Sequence, residues 1–332
     1  MAHNDALNHI EISAEHLLNK SCLIYGKTGS GKSHIIKHLL YLLRDYSPIV
    51  IVFSKSEKVN NAYSVAMVPR CFVHDEVSVE ILRAILERQV RARGLYERAT
   101  NIETLDALFQ RIADGRARET LARMQRAYED VCSRAGIDEA LSAQFKEQLV
   151  KFYRAQIMPA REQLNGMDLN EKERITLTWI NFNPHITMVF DDCSTDIQKL
   201  KTNADILESF FQGRHSLCTI IMSLHSDAMV IPCVRSNAYS SFFTDSGTAG
   251  IWISKTTNGF TKPQRDNLSR YAARILVHQP PNTKMVYVNG EAYLCEIPPH
   301  GEFSAVSSSA REFATRVSKK EPSDVEPWMS AL

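Results

Sequence analysis

The residues with the clearest chemistry are Gly26-Lys27-Thr28-Gly29-Ser30-Gly31-Lys32-Ser33, a Gly-x4-Gly-Lys-Ser loop. Its glycines admit backbone turns that a Cβ forbids and let the main chain approach a ligand closely. The N–H groups from Gly29 to Ser33 then converge on a phosphate at the positive end of the helix that follows. Lys32 reaches the β- and γ-phosphates as a point charge, and the Ser33 hydroxyl joins the shell of a Mg²⁺ ion. The eight residues together are the expected nucleotide-binding set.

A second constellation lies far downstream. His185-Ile186-Thr187-Met188-Val189-Phe190-Asp191-Asp192 is an apolar run ending in two acids, the shape of a Walker B strand. A buried parallel strand delivers its last residue to the sheet edge where ligands of open α/β folds bind. Asp191 is expected to orient the water shell of Mg²⁺ and Asp192 to polarise the attacking water. The run Leu217 to Leu224 reads as another strand and ends at His225. Where an intervening strand separates Walker A from Walker B, the end of that strand senses the γ-phosphate, and His225 holds that place; a capping loop histidine is the alternative. A metal pair of His215 and His225 lacks further ligands.

The elements that must position these groups form an α/β pattern. Ser21-Cys22-Leu23-Ile24-Tyr25 reads as a buried strand before the loop, and Ile35, Ile36, Leu39, Leu40 and Leu43 fall at helical spacing after it. Pro48 to Phe53 is a second buried strand, and Cys71 to His74 a short third one entered through Pro69. From about Val77 to Asn165 strand signals vanish and charged helical stretches replace them. Arg83 to Arg134 holds eleven arginines against eight acids, which could contact DNA phosphates. With acids interleaved throughout, a solvated face with i,i+4 pairs is the favoured reading. A helix at 204–212, a strand at Ser241-Phe242-Phe243, a helix from Pro263 to Ala273 and a hairpin over 284–294 on an Asn-Gly turn complete the pattern. From about Ser304 the chain is Ser-rich and charged, the composition of a disordered tail.

A hydrophobic content of 44% over 332 residues suffices for a large core. The net charge of +1, from 39 basic and 38 acidic residues, sets up no global field for nucleic acid, so such contacts must be local. Lys55, Lys58, Lys199 and Lys201 follow strand ends and are candidates for them. No apolar run is long enough to span a bilayer and no signal peptide is evident, so a soluble intracellular protein without a transmembrane segment is expected. Seven singly spaced cysteines read as reduced core residues.

Taken together, the Gly26–Ser33 loop, Val189-Phe190-Asp191-Asp192, Gly213-Arg214-His215 and Val234-Arg235-Ser236-Asn237 resemble one family. It is the poxvirus-type virion DNA-packaging ATPases of nucleocytoplasmic large DNA viruses, virophages and related elements, in the FtsK/HerA branch of P-loop motors. The resemblance covers roughly Leu18 to Phe243, with 77–165 outside it. It implies a RecA-like, mainly parallel core, to which the residue pattern adds a large helical insertion and a C-terminal β-hairpin. The core would comprise 1–76 and 166–303, the insertion 77–165 and the tail 304–332. It further implies Mg²⁺-dependent ATP hydrolysis, and a homo-oligomeric ring, pentameric or hexameric, that threads double-stranded DNA into a capsid. Capsid or portal components would be partners, and host cytoplasm at virus assembly sites, or the nucleus, the location. An arginine finger would come from Arg214, the first choice, or Arg235. The chain departs from the family in carrying Asp192 where Glu is usual and His225 where many relatives carry Gln. A P-loop small-molecule kinase and a nucleotide-gated assembly scaffold with weak ATPase activity are the competing functions.

Overall fold

The computed structural model describes residues 7–64, 68–135, 139–200, 203, 215–225, 234–235, 237–255, 258, 260–278 and 282–298. The expected helix 204–212, the expected tail 304–332, Lys201, Gly213, Arg214 and Ser236 lie outside the described residues. The chain divides into two compact units, Met1–Val90 with Pro184–Leu332, and Arg91–Asn183.

The first unit is built on an eight-stranded sheet. Its strands are β1 (Ser21–Tyr25), β2 (Ile49–Ser54), β3 (Val73–His74), β4 (Ile186–Asp191), β5 (Cys218–Leu224), β6 (Ser240–Phe243), β7 (Thr283–Val288) and β8 (Glu291–Glu296). The order across the sheet is β3-β2-β4-β5-β1-β6-β7-β8. Strands β3 through β6 in that order run parallel, and β7 and β8 extend the sheet antiparallel. The apolar runs are continuous because both faces of the strands are covered. Leu23, Ile51, Phe53, Met188, Phe190, Ile220 and Met222 enter one core cluster, while Cys22, Ile24, Val50, Val52, Val189 and Ile221 enter another. Helix α1 (Lys32–Leu43) adds Ile35, Ile36, Leu39, Leu40 and Leu43 to the second cluster. The expected third strand shortens to two residues, since a 3-10 turn at Arg70–Phe72 follows Pro69. Asn289 and Gly290 take φ of 48° and 96°, the left-handed pair that a two-residue hairpin needs, and β7 and β8 flank them.

Further helices follow the strands of this unit: α2 (Glu57–Asn60) after β2, α9 (Ser194–Lys199) after β4, and α10 (Ser246–Ser254) and α11 (Lys262–His278) after β6. Between them in the chain come α3 (Val79–Ala99), α4 (Ile102–Gln110), α5 (Gly115–Ala135), α6 (Glu139–Ile157), α7 (Arg161–Asn165) and α8 (Glu171–Trp179). Leu82 and Ile85 of α3 belong to the sheet's core. The helical unit has its own core, with Leu105, Leu108, Phe109, Tyr153, Leu169 and Leu177 among its buried members. Asn101 and Asn170 cap α4 and α8 by accepting from Thr104 and Glu173 N–H, at 2.9 and 3.0 Å. Arg93 and Glu97 form an i,i+4 pair at 2.7 Å. Among the described residues no helix is long and apolar enough to cross a membrane.

Candidate active site

Three parallel strands end on one edge of the sheet and supply the site. β1 runs through Tyr25 into the loop before α1, β4 ends on Asp191, and β5 stops one residue before His225. Because β5 lies between β1 and β4, His225 emerges between the two motifs.

The loop is shaped for a phosphate. Gly29 and Gly31 take φ of 75° and 94°, a region open to glycine. At Gly26 the demand is for space, since a Cβ there would lie 1.7 Å from Thr244 Oγ1 and 2.5 Å from Ser30 Oγ. Thr244 Oγ1 donates to Ser30 Oγ at 2.6 Å, and Asp245 Oδ2 accepts from Lys27 N–H at 3.2 Å. The end of β6 therefore braces the loop from its far side. Burial works against ionisation of Asp245, but hydrogen bonds from Thr248 and Lys27 outweigh it and hold the carboxyl below its usual range.

Lys32 is 8% exposed, and its ammonium donates to the main-chain oxygens of Gly26 at 2.8 Å and Lys27 at 3.0 Å. Burial lowers its pKa, opposed by the charges of Asp191, Asp192 and Asp245. Asp191 is 6% exposed. Its Oδ1 accepts from Ser223 Oγ at 2.6 Å, and its Oδ2 accepts from the Tyr63 phenol at 2.7 Å and lies 3.4 Å from Ser33 Oγ. Asp192 leaves the strand at φ 58° and is about half exposed. Its N–H donates to Ser223 Oγ at 3.1 Å, so one hydroxyl orients both acids. His225 Nε2 lies 2.6 Å from Asp192 Oδ1, and Nδ1 lies 3.3 Å from Lys32 Nζ. An ammonium has no lone pair, so Nδ1 accepts from Lys32 and the ring proton sits on Nε2, donating to Asp192.

The structure thus brings together Lys32, Ser33, Asp191, Asp192 and His225. Arg235 lies in helical backbone ahead of β6, and its carbonyl accepts from Ala238 N–H. Lys55 pairs with Asp196 at 2.8 Å, Lys199 approaches the same carboxylate at 3.7 Å, and Lys58 pairs with Asp75 at 2.5 Å. These groups line a cavity of about 490 Å³. The residues that sequence reasoning misses are Tyr63, Ser223, Thr244 and Asp245. Ser223 leaves a trace, a polar residue in a fully buried strand, and Asp245 another, as the N-cap of α10. Tyr63 leaves none. Burial first, then the charge and hydrogen bond of Asp191, push its phenol pKa well above the ordinary value, so it stays a donor.

No family model matches the chain. Its sequence is similar to "Uncharacterized protein B354L" of African swine fever virus (isolate Pig/Kenya/KEN-50/1950), 22% identical over 299 residues, 86% of this chain and 82% of the relative. It is also similar to "Uncharacterized protein 075L" of Invertebrate iridescent virus 6, 40% identical over 67 residues, 20% of this chain and 26% of the relative. Among solved structures it is similar to the genome packaging NTPase B204 from Sulfolobus turreted icosahedral virus 2 in complex with AMPPCP. That match has a TM-score of 0.38 and 14% identity, covering 85% of this chain and 98% of the other. The bacterial conjugative coupling protein TrwB gives a TM-score of 0.40 and 12% identity, covering 93% and 92%.

Proposed function

We propose that this chain hydrolyses ATP and uses the cycle to move double-stranded DNA, packaging viral genomic DNA into a capsid as a homo-oligomeric ring. The observation that carries the hydrolytic part is the run of contacts from Lys32 through His225 to Asp192, beside an Asp191 that faces Ser33. The donors that Lys32 now directs at loop carbonyls are the ones it offers to phosphate oxygens. Gly26, Lys27, Thr28, Gly29, Ser30 and Gly31 complete the phosphate cradle. Ser33 and Asp191 would hold Mg²⁺, which when bound neutralises charge on the transferring phosphoryl group.

Asp192 accepts the proton of the attacking water, and its exposure leaves a carboxylate oxygen open to that water. His225 holds the carboxylate in place by its Nε2 proton. Through Nδ1 it also ties that carboxylate to the residue that binds phosphate, which suits a sensor. A guanidinium from a neighbouring subunit, Arg214 first and Arg235 second, stabilises the transition state as a finger. The packaging part is supported by the motif resemblance and by sequence relatives that are viral proteins. The corresponding place of work is the virus assembly site of the host cell, with capsid or portal components as partners.

The test is steady-state ATP hydrolysis with and without double-stranded DNA at low salt, with Lys32→Ala as blank and Arg214→Ala as the finger variant. A Lys32-dependent rate that rises several-fold with DNA and loses the increase in added salt supports a translocase. A rate indifferent to DNA favours the scaffold, and phosphate transfer to a nucleoside the kinase.

A further inference from the structure

We propose that Tyr63 is a positioning residue for the metal-side acid, so that the turn after α2 forms part of the Mg²⁺ site; this rests on the ATP-hydrolysis reading above. Tyr63 sits on no strand, yet its side chain is fully buried and its hydroxyl ends on Asp191 Oδ2. Ser223 donates to the other oxygen, Oδ1, from β5. Two donors on two different elements, one to each oxygen, fix the rotation of the carboxylate about its last bond. A carboxylate oxygen has two lone pairs. Oδ2 therefore has a second one beyond that given to Tyr63, and it faces Ser33 Oγ at 3.4 Å, the hydroxyl that would share the metal with it.

Tyr63 is itself held. The buried Glu57 accepts its N–H at 3.0 Å and that of Ser64 at 2.8 Å, and its carbonyl accepts from Val68 N–H at 2.9 Å. The ring packs in the apolar cluster with Ile35, Ile36 and Val52. A phenylalanine would fill that space equally well, and a buried hydroxyl in an apolar cluster is costly without a partner. The hydroxyl's partner here is the acid beside Ser33, the arrangement of an outer-shell residue that orients a metal ligand.

The test is equilibrium binding of a fluorescent ATP analogue to the full chain, titrated in EDTA and in rising Mg²⁺. Tyr63→Phe should bind as wild type in EDTA, while the Mg²⁺ concentration for half of the metal-dependent gain rises about tenfold or more. In an Asp191→Asn background the same change should have no further effect. If Tyr63→Phe matches wild type at every Mg²⁺ concentration and only melts earlier, the residue is packing and the proposal fails. If Tyr63→Phe does not fold, Glu57→Gln takes its place, with a smaller shift in the same direction expected and no shift overturning the idea. A wild-type chain with no Mg²⁺-dependent nucleotide binding removes the ATP-hydrolysis reading itself, an outcome distinct from a normal wild type with an unaffected variant.

Discussion

The two units give their buried carboxylates different company: Glu173 faces an exposed guanidinium, Asp191 faces hydroxyls. In the helical unit the Arg111 guanidinium grips Glu173 through hydrogen bonds of 2.8 to 3.1 Å, and Glu173 also accepts from Asn170 N–H to close the cap of α8. The two charges satisfy each other. In the sheet unit Lys32 is buried against two main-chain oxygens and a histidine, and Asp191 against hydroxyls of Tyr63, Ser223 and Ser33. Each of these charges has neutral hydrogen-bond partners and opposite charges near it but not paired with it, so each remains available to a ligand of opposite sign. Burial alone does not mark a site; a buried charge held without a direct ion pair does.

Three changes sharpen the comparison. The largest effect belongs to Lys32→Ala, which should lower ATP turnover about 10² to 10³-fold while urea unfolding stays close to wild type, because a donor to developing charge is lost and no salt bridge is broken. Glu173→Ala should do the reverse. It removes the carboxylate partner of an exposed Arg111 and opens the α8 cap, costing about 1 kcal/mol in urea unfolding, with turnover per folded molecule unchanged. Equal loss of turnover in both variants would erase the distinction between the units.

The smallest effect is a pH dependence at Glu57. Burial opposes its charge, but hydrogen bonds from Ser64 and Tyr63 and the nearby Arg70 outweigh that and hold the carboxyl below its ordinary value of 4.5. A carboxyl whose folded pKa lies below its unfolded one adds stability that is complete above the unfolded value and lost as pH falls through the folded one. The melting temperature should therefore drop on acidification below about pH 4.5, and Glu57→Gln should flatten that part of the drop; an unchanged slope would show that Glu57 contributes nothing to it.

What was legible in the sequence follows the same physics. The Gly26–Ser33 loop is contiguous, so its chemistry shows in one line of residues. Asp191 and Asp192 stand at the end of an apolar run, and β4 ends on Asp191 because a buried strand must stop where charge begins. His225 was placed by strand order, and the order β4-β5-β1 puts it beside both motifs. Tyr63 had no such marker. It sits 128 residues from Asp191, and only the packing of its turn under α1 and β2 gives its hydroxyl a meaning. The helical segment read as 77–165 from the loss of strand signals, whereas the compact helical unit runs from Arg91 to Asn183. The start of α3 carries Leu82 and Ile85 into the sheet's core, and α8 carries Leu177 into the helical one, so helical spacing and unit membership part company at both ends.

The most direct test of the central claim, that Asp192 held by His225 acts on water, is Asp192→Asn assayed for both nucleotide binding and turnover. Nucleotide affinity within about twofold of wild type, with turnover down about 10² to 10⁴-fold, is the expected result. Turnover that survives the substitution would contradict the assignment and move the base elsewhere on the sheet edge.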